Sequence, residues 1–141
     1  MAHFDINEFF ARRDKDWQNH DEDALAAGHS EEGEIVSPLF GTIRGYSAIQ
    51  ESYIEFYKIF PDAKYETEHL LIDGERAAQF IMMSGTQEKE FCGFPPARKT
   101  FQFRLASLFF FSNGKIDREI RIYDFTGMLM QLGALKAKPT Y

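Results

Sequence analysis

The sequence predicts an α+β fold in which helices come first and an antiparallel sheet follows. In the first sixty residues, apolar side chains recur at the spacing of helices that bury one face. In the second half, strand-like runs are separated by Asp73-Gly74 and Asn113-Gly114, two pairs that favour tight hairpin turns. Helices followed by such a meander must pack on one side of a strongly curved sheet. We therefore expect a cone that encloses an apolar pocket.

The composition limits the class of protein. The 141 residues suit one domain, residues 1–141, with a single core. The net charge of −6 is spread without a basic cluster, which argues against nucleic acid as a partner. Fifteen Phe, six Tyr and one Trp exceed what a mixed aliphatic core needs. Because large rings suit the walls of a cavity, we expect a hydrophobic small-molecule ligand.

The N-terminus and the cysteine content indicate where the protein acts. Residues 1–17 are acidic and amphipathic, unlike a signal peptide, and no apolar run approaches the length of a membrane span. The single Cys92 cannot form an internal disulfide, so nothing requires an oxidising compartment. We expect a soluble, cytoplasmic protein with no membrane partner.

Two helices are predicted before residue 30. Asp5 followed by Glu8 resembles a reciprocal capping pair, so the first helix begins there. The residues of its apolar stripe recur at helical spacing, with Arg13 at the edge of the stripe: Ile6, Phe9, Phe10, Arg13 and Trp17. The second helix covers residues 21–28 and ends at Gly28, a natural stop.

The longest predicted helix follows Tyr46. Its apolar residues are spaced four, three and four apart, and Pro61 ends the series because proline disfavours helix before it: Ile49, Tyr53, Phe56 and Phe60. Residues 33–45 are interrupted by Pro38, Gly41 and Gly45. They predict a short edge strand and a loop rather than a central strand.

The two faces of the strand at residues 99–111 differ in character. One face is almost wholly apolar: Phe101, Phe103, Leu105, Ser107, Phe109 and Phe111. The other is polar at its start and apolar at Leu108 and Phe110. A mixed face of this kind often pairs with a second subunit.

Short motifs spread along the chain resemble the SnoaL-like polyketide cyclases. In order they are FPD at 60–62, SGT at 84–86, EFCGFPP at 90–96, NGKI at 113–116 and DFTGMLMQLG at 124–133. That family belongs to the cone-shaped superfamily of nuclear transport factor 2, called NTF2-like, with ketosteroid isomerase and limonene epoxide hydrolase. The resemblance covers roughly residues 5–135. It implies a long helix on a curved sheet, a buried apolar pocket and a homodimer formed through the sheet.

The resemblance implies a catalytic role for Asp124. The corresponding acid of the cyclases is the general acid/base of an aldol ring closure that uses no cofactor, and we expect none here. A carboxylate can remove a proton from a methylene between carbonyls, and the enolate then attacks a second carbonyl of the same molecule. Strand parity also favours the interior, because Asp124 shares a face with Ile122, Ile120 and Ile116. The alternative is a helix cap, a common place for Asp.

Two departures from the family weaken the predicted site. Gln87 stands where the cyclases usually have His, and Phe80 stands where Arg is common. These changes leave open a noncatalytic small-molecule binding module. Epoxide hydrolysis, known in the superfamily, is a third and less favoured alternative, because it needs an acid and an Arg, and Phe80 replaces that Arg.

Further pocket residues are predicted with ordinary core positions as the alternative. The two long helices should turn aromatic rings towards the apolar sheet face: Trp17, Tyr53, Phe56 and Phe101. His69 shares strand parity with Tyr65 and Thr67, and Gln87 occupies the position of the missing His, so both could contact a substrate. The other histidines have no suitably spaced partners, and we expect no metal.

Overall fold

A computed structural model describes residues 4–136 and confirms the α+β fold class. The helices are α1 (Ile6–Gln18), α2 (Glu22–Ala27), α3 (Tyr46–Ile59) and α4 (Phe125–Gln131). The strands are β1 (His29–Ser37), β2 (Gly41–Arg44), β3 (Lys64–Asp73), β4 (Arg76–Thr86), β5 (Thr100–Ser112) and β6 (Lys115–Ile122). The strands form one curled sheet in the order β2-β1-β6-β5-β4-β3.

The N-terminal helices form where their capping signals predict. The Asp5 side chain accepts hydrogen bonds from the backbone N–H groups of Asn7 and Glu8, which otherwise lack helical partners. The predicted apolar stripe of α1 is buried in full, including Arg13. In α3, Ile49 and Tyr53 are buried, and the helix stops just before Pro61. α1 packs against β3, and α3 packs against β1, so both helices cover the concave side of the sheet.

The sheet is antiparallel except where β1 runs parallel to β6. Both predicted hairpins are present, and Asn113 and Gly114 have φ angles of 52° and 75°, as a type I′ turn requires.

The prediction for residues 33–45 is wrong in part. β1 is a long strand between β2 and β6, and of these first two strands only β2 lies at an edge of the sheet. Pro38 lies in the β1–β2 connection, Gly41 begins β2 and Gly45 follows it, so none of the three interrupts the β1–β6 ladder.

Two β-bulges decide which side chains point inward. On β3, Thr67 pairs with Ile81 but His69 pairs with Phe80, so Glu68 is an extra residue. On β6, Ile116 pairs with Phe111 but Arg118 pairs with Phe110, so Asp117 is an extra residue. Each extra residue reverses the alternation of inward and outward side chains beyond it. In contrast, β5 keeps the predicted alternation, with its Phe101 to Phe111 face inside.

Candidate functional site

A cavity lies between the helices and the concave face of the sheet. Its volume is about 70 Å³. Aromatic and aliphatic side chains form most of its wall: Trp17, Leu39, Phe40, Tyr53, Phe56, Phe60, Tyr65, Met83, Phe91, Phe103, Leu105, Tyr123 and Met128. The wall is tightly packed, because the Trp17 ring stacks on Tyr65 at 4.2 Å between centroids. Polar groups are concentrated where the cavity meets β6.

Glu119 and Arg121 form the centre of this polar end. Both line the cavity, and the Glu119 side chain is only 2% exposed. Arg121 Nε donates to Glu119 Oε2 at 2.8 Å, and Ser107 Oγ donates to the same oxygen at 3.2 Å. The other oxygen, Oε1, accepts from Arg121 Nη2 at 3.4 Å and from Arg13 Nη2 at 3.5 Å. The carboxylate is therefore held on both oxygens.

Tyr53 links this ion pair to the helices. Its hydroxyl oxygen accepts a hydrogen bond from Arg13 Nη2 at 2.8 Å and another from Arg121 Nη2 at 3.4 Å. The same oxygen lies 2.9 Å from His29 Nε2. Because two guanidinium groups already donate to this oxygen, the hydroxyl proton points to His29 or to the cavity. We call Arg13, His29, Tyr53, Glu119 and Arg121 the polar cluster.

The charge state of the polar cluster follows from its burial. Burial alone would raise the pKa of Glu119, but the charges of Arg121 and Arg13 outweigh burial and lower the pKa to about 2. Burial, with the charge of Arg13, lowers the pKa of His29 to about 3. At neutral pH the cluster therefore contains one carboxylate, two guanidinium groups and a neutral histidine.

Comparisons of sequence and of fold relate the chain to known proteins. The sequence profile described as SnoaL-like polyketide cyclase matches residues 8–132. The chain belongs to this family. No match was found among curated protein sequences.

Solved structures similar to this SnoaL-like protein share its fold at low identity. TsrD from Streptomyces laurentii is 19% identical, with a TM-score of 0.81 over 96% of this chain and 99% of that one. A SnoaL-like polyketide cyclase from Agrobacterium tumefaciens strain C58 is 21% identical, with a TM-score of 0.74 over 94% and 100%. A ketosteroid isomerase-like protein from Catenulispora acidiphila, solved with trimethylamine, is 17% identical, with a TM-score of 0.72 over 84% and 86%. These similarities confirm the NTF2-like fold.

Asp124 does not line the cavity of this SnoaL-like protein. Its side chain is exposed and accepts a hydrogen bond from the N–H of Gly127 at 2.8 Å, so Asp124 caps α4. The expectation that Asp124 points inward is wrong because it assumed that side chains alternate regularly along β6, and the bulge at Asp117 breaks that alternation. Beyond that bulge the odd-numbered residues point inward, and Ile122, predicted to be interior, is 67% exposed. A catalytic role for Asp124 stays a prediction that this position does not support.

The other predicted site residues divide into two groups. Trp17, Tyr53 and Phe56 line the cavity, whereas Phe101 is fully buried beside it, against Phe60. His69 is exposed on the outer face, near Phe80, because the bulge at Glu68 turns it outward.

Gln87 is buried but lies outside the cavity lining. Its Nε2 donates to the backbone carbonyls of Lys89 and Pro95, at 3.0 and 3.1 Å. It therefore holds the loop that carries Phe91 to the cavity wall, and its side chain does not line the cavity.

Sequence reasoning missed Glu119 and Arg121 as site residues. They alternate with Ile120 and Ile122, and charged residues in such a run normally face solvent. One signal was present, since Arg13 falls among the apolar residues of α1 and a buried Arg needs a buried acid.

The rest of the described chain offers few other sites. Within residues 4–136 no cluster of three or more His, Cys, Asp or Glu could hold a metal ion. In the same range, no helix is long and apolar enough to cross a membrane.

Proposed function

We propose that this SnoaL-like protein binds a hydrophobic carbonyl compound and promotes acid/base chemistry on it without a cofactor, as an aldol-type cyclisation or an isomerisation. One observation carries the proposal. The apolar cavity ends at Arg121, a cavity-lining guanidinium whose side chain is 20% exposed and whose Nη1 has no hydrogen-bond partner within residues 4–136. A carbonyl oxygen at this end would meet a fixed positive charge.

The polar cluster suits the stabilisation of an enolate. When a carbonyl compound loses an α-proton, negative charge develops on its oxygen, and a preorganised donor beside that oxygen lowers the barrier. Arg121 is preorganised, because Glu119 holds its Nε and Nη2. Tyr53, whose hydroxyl is part of the same network, would supply or accept a proton at the ligand oxygen.

A noncatalytic binding module is the second candidate, and one observation favours it. Among the described residues that line the cavity, Glu119 is the only one with a carboxylate. Both of its oxygens accept hydrogen bonds, which makes it a poor base. The same bonds leave Glu119 unable to orient a water for epoxide hydrolysis. Under this alternative, ligands bind at Arg121 but are released unchanged.

Ring closure of heptane-2,6-dione tests the proposed function. In this reaction a methyl carbon bonds to the distant carbonyl carbon, and the methyl proton moves to the new alkoxide, giving 3-hydroxy-3-methylcyclohexanone. We expect NMR to show closure and α-deuterium exchange above the buffer rate. Arg121→Gln should slow both about a hundredfold, as loss of one such donor does. Arg76→Gln, which removes an Arg from the exposed pair with Asp73 at the β3–β4 hairpin, should leave both rates unchanged. Rates at the buffer level for the wild type would exclude the chemistry.

We also propose that the protein is a homodimer formed through the outer face of the sheet. Two rows across paired strands are apolar at their centre: Leu71, Ala78, Leu108 and Ile120, and then Phe80, Ala106 and Ile122. Ion pairs flank them, including Glu68–Arg104 and Arg118–Glu34. An apolar strip between charges of both signs is self-complementary, as a two-fold interface requires. We expect a dimer by sedimentation and a folded monomer after Leu108→Glu. A monomeric wild type would refute this.

A further inference from the structure

We infer that Tyr65 determines the specificity of this cavity: its hydroxyl oxygen can accept a hydrogen bond from a ligand, but its proton is committed elsewhere. The inference rests on the proposed function, because it concerns ligands of the same cavity. It deepens that function by naming the substrate class, a carbonyl compound that also carries a hydroxyl group. The carbonyl contacts Arg121, and the hydroxyl donates to Tyr65.

A chain of hydrogen bonds leads from Tyr65 to α1. The Tyr65 hydroxyl donates to Gln79 Oε1 at 2.6 Å, and Gln79 Nε2 donates to Thr67 Oγ1 at 2.8 Å. Thr67 Oγ1 in turn donates to Asp14 Oδ1 at 2.9 Å. Gln79 is fully buried, whereas Asp14 is half-buried. The chain therefore connects the cavity wall with a carboxylate near the surface.

That carboxylate fixes the direction of every bond in the chain. An ionised Asp14 can only accept, so the Thr67 hydroxyl must be the donor between them. Because the Thr67 proton is used in this way, its oxygen receives the amide nitrogen of Gln79. The amide oxygen of Gln79 then faces Tyr65, and an amide oxygen can only accept. The proton of Tyr65 is therefore committed to Gln79.

The position of Gln79 in the sheet places the Tyr65 hydroxyl at the polar end of the cavity. Gln79 pairs with Ser107 on β5, and Ser107 pairs with Arg121 on β6. Neighbouring strands lie about 4.8 Å apart, so the strands of Gln79 and Arg121 are roughly 10 Å apart. Tyr65, Ser107 and Arg121 all line the cavity. One ligand can therefore contact Tyr65 with one group and Arg121 with another.

The oxygen of Tyr65 has an unused capacity to accept. Within residues 4–136 the donation to Gln79 is the one hydrogen bond of this hydroxyl, so no donor of the described chain reaches its oxygen. Tyr53 differs, because its oxygen already accepts from two arginines. An apolar group beside the Tyr65 oxygen would leave it unpaired, whereas a ligand hydroxyl would gain a hydrogen bond there.

Two further hydroxyls of the cavity wall have the same polarity. Ser107 donates to Glu119 Oε2 at 3.2 Å, and Ser52 donates to a backbone carbonyl of α3 at 2.6 Å. Their partners can only accept, so these serine oxygens, like that of Tyr65, can accept from a ligand. A ligand with a carbonyl alone would use Arg121 and leave these oxygens unpaired. A hydroxy carbonyl compound would use both kinds of group.

Three probes that differ in one substituent test this inference. The first, 3-hydroxyacetophenone, has a hydroxyl where 3-methylacetophenone has a methyl group of similar size, and 3-methoxyacetophenone keeps the oxygen but has no proton to donate. Each has a single carbonyl, so none can close a ring. Binding would be measured by calorimetry and by the indole N–H resonance of Trp17, the single tryptophan, which stacks on Tyr65 in the cavity wall.

The order of affinities decides the question. We expect the hydroxyl probe to bind about tenfold more tightly than the methyl probe, as one hydrogen bond allows. A wall that recognises apolar surface alone would favour the methyl probe. Equal or reversed affinities would overturn the inference, as would a methoxy probe that binds as tightly as the hydroxyl probe, or no shift of the Trp17 resonance with any probe. The proposed function is judged by the heptane-2,6-dione reaction, so one can fail without the other.

Two tyrosine variants provide the matched control. Tyr65→Phe removes the accepting oxygen and should make the affinities for the hydroxyl and methyl probes equal. Tyr46→Phe, at a half-buried position of α3 outside the cavity lining, should keep the wild-type ratio. A loosened cavity would weaken all three probes together, whereas loss of the acceptor changes their ratio. An unchanged ratio in folded Tyr65→Phe would contradict the inference.

A change at Gln79 tests the direction of the chain even if Tyr65→Phe does not fold. Gln79→Met removes the acceptor of the Tyr65 proton, which is then free to turn to a ligand. The methoxy probe should therefore bind this variant more tightly than the methyl probe does. If the methoxy probe gains nothing over the methyl probe in folded Gln79→Met, the Tyr65 proton is not held by Gln79 and the inference is wrong.

Discussion

Two carboxylates near the end of β6 have opposite surroundings. Glu119 is 2% exposed and is bound by Arg13, Arg121 and Ser107. Asp124, five residues later, is exposed and holds only the first turn of α4. The chemical group is the same, and the difference is its place relative to the sheet. The bulge at Asp117 turns Glu119 into the cavity, while the chain has left the sheet before Asp124.

Of the substitutions at these two carboxylates, Glu119→Ala should have the largest effect on the free energy of unfolding. Glu119→Ala leaves Arg13 and Arg121 buried without their shared counterion, which should cost about 3–5 kcal/mol of unfolding free energy. Urea unfolding measures this cost. Glu55→Ala, which removes an acid from the exposed pair with Lys58 on α3, is the control and should change stability little. Equally small effects of both changes would mean that the cluster contributes no more than a surface pair.

A second effect should appear on acidification. The pKa of His29 is about 3 when folded and about 6.5 when unfolded, so only the unfolded chain takes up the proton between these values. Stability should therefore fall as pH falls from about 7 to about 5, with a slope of up to about 1.4 kcal/mol per unit from His29. Glu119 adds to this loss only below about 4.5, its unfolded pKa, down to about 2.

Histidine variants separate this contribution from that of other groups. Urea unfolding between about pH 5 and 7 should show a flatter dependence in His29→Gln, because no buried imidazole remains to resist protonation. His69→Gln, at an exposed position, should retain the wild-type slope. Equal slopes in the two variants would mean that His29 is not the buried neutral group described above.

The smallest effect should come from Asp124. Asp124→Ala removes the hydrogen bond to the N–H of Gly127 and should cost about 1 kcal/mol, the usual cost of losing an N-cap. Asp124→Asn keeps an oxygen that can accept the same bond, so its unfolding free energy should stay close to that of the wild type. A large loss in Asp124→Asn would indicate that the charge at this position matters beyond capping.

Local patterns in the sequence were enough to predict most of the helices and strands. The stripe of α1, the stop of α3 at Pro61 and the inward face of β5 depend on residues close together in the chain. The bulges at Glu68 and Asp117 depend on how two strands pair, and no local period reveals them. For that reason Trp17 and Tyr53 lie in the cavity wall, where their helical spacing placed them, whereas His69 and Asp124 lie outside it.

The relative rates of two variants test the central claim, that Arg121 at the polar end of the cavity stabilises the enolate of the ligand and that Asp124 takes no part in the reaction. Ring closure of heptane-2,6-dione would be followed by NMR in Asp124→Asn and Arg121→Gln under identical conditions. We predict that Asp124→Asn retains the wild-type rate and that Arg121→Gln is about a hundredfold slower. The reverse order, with Asp124→Asn slow and Arg121→Gln unaffected, would contradict the account and return the catalytic role to Asp124.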